Sequence, residues 1–156
     1  MILYFFRHGD AEYQAGLSDH DRQLTQKGIS RTKNAATVLK KLGVKPDHIF
    51  SSPRIRAKQT ADILADTLGT SVEIRDELNF DFNLMLLHQL LKGKTTETKI
   101  MLVGHNPSMS EVVSQLTGAQ IEMKKGGLAR VDLITDSSGM LVWLIAPKVF
   151  DAIAKS

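Results

Sequence analysis

The sequence predicts an α/β fold: a three-layer sandwich with a mostly parallel central sheet and an antiparallel edge strand. Three observations carry this. A continuous apolar run, Ile2-Leu3-Tyr4-Phe5-Phe6, ends in Arg7-His8-Gly9. Such a run suits a strand buried on both faces, as the strands of parallel sheets are. Short apolar runs then alternate with longer segments of helical period. Two strand-like runs in succession close the chain, with Asp136-Ser137-Ser138-Gly139 between them as a hairpin turn.

Each element has its own signal. Thr25 to Leu42 places Ile29, Ala35, Ala36, Val38, Leu39 and Leu42 on one helical face, and Gly43 stops it. Asp47 to Ser51 holds a short strand, His48-Ile49-Phe50. Arg54 to Leu68 reads as a second helix, with Ala57, Ala61, Ile63, Leu64 and Leu68 inward and Gly69 closing it. Val72 to Ile74 alternates like a short strand. Asn83 to Leu91 is a short leucine-rich helix. Lys99 to Val103 is the next strand, and it runs into Gly104-His105-Asn106-Pro107. Pro107 suits a first helical turn, and Ser108 to Leu116 continues that helix. Ala129 to Thr135 and Met140 to Ala146 form the hairpin, with Trp143 read as core. A final helix is expected over Lys148 to Ala154. Ligands of open α/β sheets bind at the carboxyl ends of the strands. Arg7-His8 and Gly104-His105 both stand at such ends.

Composition removes several classes of function. The 156 residues fit one domain, 1–156, which is long enough to bury a core without staples. There is no cysteine, hence no disulfide, thiol nucleophile or thiolate metal cluster. The 20 basic against 17 acidic residues leave a net charge of +3, too little for a nucleic-acid binder with a dense basic stripe. The strongest apolar run, Met140 to Ala146, is far short of the roughly 18 residues of a membrane span. The N-terminus has no basic lead or cleavage site, so it reads as a first strand and the expected location is the cytoplasm.

Four blocks carry the chemistry. The first is Arg7-His8-Gly9-Asp10-Ala11. Arg22-Gln23-Leu24-Thr25, with Gly28 three residues on, is the second. The third runs Ser51-Ser52-Pro53-Arg54-Ile55-Arg56-Ala57-Lys58-Gln59-Thr60-Ala61, and the fourth Val103-Gly104-His105-Asn106-Pro107. Their types suit phosphate. A phosphoryl group needs forked donors, and arginine supplies planar, bidentate ones. Each charge-assisted bond contributes about 1.5–3 kcal/mol. A free histidine is roughly three-quarters neutral at pH 7, and neighbouring arginines raise that fraction. His8 can then attack phosphorus without a metal or an activating base.

In this order and over nearly the whole chain, the four blocks resemble the histidine phosphatase superfamily. Length and the second block look most like its SixA-type phosphohistidine phosphatases. The resemblance implies a phosphoglycerate mutase-like fold and a phosphatase with a histidine nucleophile. It implies that His8 forms a phosphohistidine intermediate and that His105 stabilises the transferring phosphoryl, with Arg7 and Arg56 as clamps. Arg56 fits the Ser-Pro-x-x-Arg-Ala-x-Gln-Thr spacing, which leaves Arg54 as a rim or surface residue. Gly9, Asp10, Asn106 and Arg22 are expected at the substrate. For Arg22 two readings stay open: it reaches phosphate, or it orients the loop before the Thr25 helix. Ser51, Ser52 and Thr60 read as turn and helix-start residues whose hydroxyls could touch phosphate. His20, His48 and His88 read as ordinary surface or half-buried histidines. Two histidines flanked by arginines would repel a cation, and helical ligand spacing is absent, so no metal or other cofactor is expected.

The leaving group is the remaining question. Members of that family acting on small phosphate esters often carry an insertion covering the pocket, and a glutamate that protonates the leaving alkoxide. After Leu78 come Asn79, Phe80 and Asp81, without an obvious match to that glutamate; Glu77, Asp81 and Asp10 are the candidate acids. A phosphohistidine leaves as imidazole, which is far less basic and needs no dedicated acid. The expected substrate is therefore a phosphorylated protein, such as a histidine-containing phosphotransfer domain. A small-molecule phosphomonoesterase and a non-catalytic phosphate-binding module are the alternatives.

Overall fold

The computed structural model describes residues 1–156. Strand β1 (Ile2–Arg7) leads, and after a long loop come helix α1 (Gln26–Lys41), β2 (His48–Ser51), α2 (Ile55–Leu68) and β3 (Val72–Ile74). Then follow α3 (Leu84–Leu91), β4 (Lys99–Gly104), α4 (Ser108–Thr117), β5 (Leu128–Thr135), β6 (Ser138–Ile145) and α5 (Pro147–Ala154). The strands form one sheet in the order β3-β2-β4-β1-β5-β6. Strands β1 to β4 are mutually parallel. The hairpin supplies the antiparallel edge: β5 opposes β1 and β6 opposes β5.

Alternation along the central strands builds the three layers. Leu3 and Phe5 of β1, with Ile100 and Leu102 of β4, pack on α3 and α4. Tyr4 and Phe6, with Met101 and Val103, face the opposite way, onto α1, α2 and Phe150 of α5. This is why the first strand is apolar without interruption: each face of it is covered. Trp143 is partly buried and packs against the second of these cores. No helix is long and apolar enough to cross a membrane.

The termini of the elements follow their capping residues. Thr25 accepts from the Gly28 amide at 3.0 Å and starts α1; Asn83 accepts from Leu86 at 2.9 Å and starts α3. Pro107 stands one position before α4, with a cis Asn106–Pro107 peptide bond. The terminal turn is tighter than expected. Thr135 pairs with Ser138, and their hydroxyls lie 2.7 Å apart, so Asp136-Ser137 alone make the turn. Strand β6 therefore begins two residues before Met140. Two short 3-10 turns, Asp19–Asp21 and Asp76–Leu78, had no periodic signal.

One glycine decides where the first helix lies. A Cβ on Gly28 would run into the carbonyl of Asp10. Its bare backbone lets α1 pack directly on the loop that follows His8, which fixes that loop beneath the site.

Candidate active site

Three parallel strands, β1, β2 and β4, deliver their carboxyl ends to one rim. His8 follows β1, with its amide bonded to the Gly104 carbonyl at 3.0 Å. His105 follows β4. The two ring centroids are 5.2 Å apart. Arg56 comes from the first turn of α2, which the Ser51-Ser52-Pro53 turn aims across the rim. All three side chains are buried, with His8 7%, Arg56 3% and His105 2% exposed.

Hydrogen bonding sets the tautomer of His8. Its Nδ1 lies 2.7 Å from the Gly9 carbonyl oxygen, which can only accept. Nδ1 therefore carries the proton. Nε2 keeps its lone pair, and the Arg56 Nε donates to it at 3.3 Å. Burial first, and then the charges of Arg56, Arg7 and Lys125, push the imidazole down to about 4, against the upward pull of its bond to Gly9. His105 is pushed to about 3 by burial, then by His8, Arg56 and Arg54, with Asp19 opposing. Both rings are thus neutral at pH 7, and His8 presents an unprotonated nitrogen.

His105 is oriented by Ser52, whose hydroxyl lies 2.8 Å from Nε2. The Phe80 ring packs edge-on against it at 4.8 Å. The Nδ1 of His105 and the Nε of Arg7 are buried without a hydrogen-bond partner. Arg7 itself is anchored by Nη1, which donates to the Met123 carbonyl at 2.8 Å. Gly9 donates its amide to Thr60 at 3.1 Å, and Thr60 donates to the Arg56 carbonyl at 2.8 Å. The first and third sequence blocks are thereby tied together next to His8.

The Asp19–Asp21 turn brings a carboxylate to the arginines. Asp19 Oδ2 receives Arg54 at 2.7 Å and Arg56 at 3.1 Å, and Oδ1 receives Arg22 at 3.2 Å. Burial pushes its pKa up, but these hydrogen bonds and charges outweigh that and hold it below the ordinary value. Arg22 also donates to the Glu12 carbonyl at 2.8 Å, which ties its side chain to the loop. Arg54 lies at the rim as expected, but it is engaged there: it donates to Asn79 at 2.7 Å and stacks on Phe80 at 3.8 Å.

Two residues expected at the substrate have partners within the fold. The Asp10 carboxylate accepts from Thr25 at 2.8 Å and faces Lys125 at 3.9 Å, at the start of α1. Asn106 donates to the Met123 carbonyl at 3.0 Å and accepts from Ser110 at 2.9 Å, so its amide group is spent on the fold. The candidate acids also stand apart. Glu77 is paired with Arg75; burial pushes it up, and that arginine with a backbone amide holds it below the ordinary value. Asp81 is exposed. No three His, Asp or Glu side chains converge as metal ligands.

Asp19, Asn79 and Phe80 were not singled out from sequence. Asp19 had one usable signal: Ser18 caps the Asp19–Asp21 turn by accepting from the Asp21 amide, a Ser-x-x-Asp pattern. Asn79 and Phe80 had none, because their roles come from a fold contact with Arg54 and His105.

The comparisons agree with this geometry. Residues 3–82 match the family model of the histidine phosphatase superfamily (branch 1). An uncharacterized protein of Picosynechococcus sp. is 37% identical over 95% of this chain and 98% of its own. Phosphohistidine phosphatase SixA of Escherichia coli is 28% identical over 94% of each chain. The solved structure of the protein histidine phosphatase SixA complexed with tungstate superposes with a TM-score of 0.86 and 29% identity, covering 95% of this chain and 98% of that one. A phosphoserine phosphatase from Entamoeba histolytica, at 16% identity and a TM-score of 0.75, shares the fold. Sequence kinship over the full length and a neutral imidazole at the end of the first strand lead to one conclusion: the chain belongs to the histidine phosphatase superfamily, branch 1, and is a phosphatase.

Proposed function

We propose that the protein removes phosphate from a phosphohistidine on a partner protein, such as a histidine-containing phosphotransfer domain. The observation that carries this reading is the kind of carboxylate at the site. Asp19 is the one that reaches the arginines, and they hold it ionised. It cannot protonate a leaving alkoxide, and Glu77 is locked to Arg75. A phosphoramidate needs no such acid, because its leaving imidazole takes a proton from water near pH 7.

The geometry supports a two-step transfer. His8 Nε2 attacks phosphorus, a new N–P bond forms, and the N–P bond of the substrate breaks. The electron pair returns to the departing imidazole. Water then attacks phosphorus: an O–P bond forms, the Nε2–P bond breaks with its electron pair returning to Nε2, and the proton released by water leaves with phosphate or solvent. Arg56 stands beside Nε2 and stabilises charge on the phosphoryl oxygens. His105, held by Ser52, faces the nucleophile across the site and stabilises the same group. The relatives named for phosphohistidine phosphatase activity support this choice of substrate.

The test is a substrate comparison under one set of conditions: a phosphorylated phosphotransfer domain, free phosphoamino acids and sugar phosphates. The protein domain is expected to lose phosphate fastest, and His8→Ala to abolish the effect. Loss no faster than in the His8→Ala control, or faster turnover of the phosphoesters, would overturn the reading.

A further inference from the structure

A second concavity opens beside the His8 cluster. It encloses about 490 Å³ between the start of α1, the turn at 124–126 and the start of α5. Arg7, Lys27, Arg31, Lys124, Lys125 and Lys148 line it, and Asp10 is its one carboxylate. Six cations line it, and even with the partner carboxylates Asp10, Glu122 and Asp151 counted the cleft keeps +3, a charge equal to that of the whole chain. Three of the cations are paired: Arg31 with Asp151 at 3.0 Å, Lys124 with Glu122 at 3.8 Å and Lys125 with Asp10 at 3.9 Å. Lys27 and Lys148 enter no ion pair.

The placement of those two lysines works against the fold. Lys27 is in the first turn of α1 and Lys148 in the first turn of α5, and neither turn contains an acid. The amide ends of helices carry positive potential, so a cation there is disfavoured. Two helices have put lysine where their own dipoles call for a negative charge, and both face one cleft. Arg7, part of the strand end that bears His8, contributes to the same lining.

We propose that this cleft is an anion site adjoining the His8–His105 cluster, with Arg7 and Gly9 shared between them, and that it binds a small, multiply charged anion of the condensed-phosphate class. Its volume is that of a small-molecule pocket. Protein interfaces are depleted in lysine and anchored by aromatics, and single-stranded nucleic acids stack on aromatics. No aromatic side chain lines this cleft. Clustered cations in a concavity match several phosphate groups close together. The site stands or falls independently of which phosphohistidine or ester the enzyme hydrolyses.

Calorimetric titration of the whole chain with inorganic tripolyphosphate tests this. In Arg56→Ala, where the catalytic clamp is broken, a single equivalent is expected to bind still. Adding Lys27→Gln and Lys148→Gln to that background is expected to weaken binding by about tenfold or more, from the loss of two charge-assisted contacts. Replacing the same two residues with arginine is expected to restore it, which separates loss of charge from loss of fold. Binding that vanishes in Arg56→Ala alone, or that survives the two glutamine substitutions unchanged, would overturn the proposal.

Discussion

Acidification from pH 7 to pH 5 is expected to destabilise the fold by about 4 kcal/mol through two rings alone. His8 titrates at about 4 and His105 at about 3 in the folded chain. Both titrate at about 6.5 when unfolded. Between these values the unfolded chain binds protons that the folded chain refuses. Stability therefore rises with pH across the window. It is fully present above about pH 6.5 and is lost progressively as pH falls toward 4. At pH 5 the unfolded state gains about 2 kcal/mol from protonating each ring, and the folded state gains almost nothing. The carboxyls of Asp19 and Glu77 are held below their ordinary values, so their contribution is lost at still lower pH. Urea denaturation at pH 7 and pH 5, in wild type and in His8→Gln/His105→Gln, isolates the term. The double variant is expected to lose about 4 kcal/mol less than wild type over this interval. An equal loss in the two proteins would show that the rings are not buried in their neutral form.

Three further outcomes follow from the same contacts. Asp19→Asn removes the carboxylate that pairs with Arg22, Arg54 and Arg56; under the proposed role of Arg56 as a phosphate clamp, inhibition by phosphate or tungstate is expected to tighten about fivefold or more, from roughly 1 kcal/mol per like charge at 4 Å, and weaker inhibition would contradict that role. Ser52→Ala deprives His105 Nε2 of its partner; kcat is expected to fall about tenfold with little change in KM, since a buried bond of about 1–3 kcal/mol that orients a transition-state group is lost, so a pure KM effect would assign Ser52 to substrate binding instead. Gly28→Ala drives a methyl into the Asp10 carbonyl; urea denaturation is expected to show a loss of about 1–3 kcal/mol from overpacking, and an unchanged midpoint would mean that the loop after His8 is free to shift.

Much of the architecture could be read from local pattern. The β1 run is apolar throughout because Leu3 and Phe5 enter one core while Tyr4 and Phe6 enter the other. Thr25 and Asn83 are caps, and Gly43 and Gly69 stop helices, for reasons confined to a few neighbouring residues. The hairpin turn was harder, because the Thr135–Ser138 pairing depends on register, not composition. The short turn at Asp19–Asp21 has no buried residue and hence no hydrophobic period to reveal it.

The sequence by itself determined the element order, the sheet class and the two histidines at strand ends, because periodicity, caps and breakers act over a few residues. Its motif blocks also pointed to phosphate chemistry before any contact was known. Only the tertiary structure decided which ring nitrogen of His8 is free, that Ser52 holds His105, and that Asp19 sits among three arginines. It alone paired Asp10 with Thr25 and Asn106 with the Met123 carbonyl and gathered scattered lysines into one cleft. These are contacts between segments far apart along the chain, and their energies depend on distance and burial, which exist only once the sheet has brought the strand ends together.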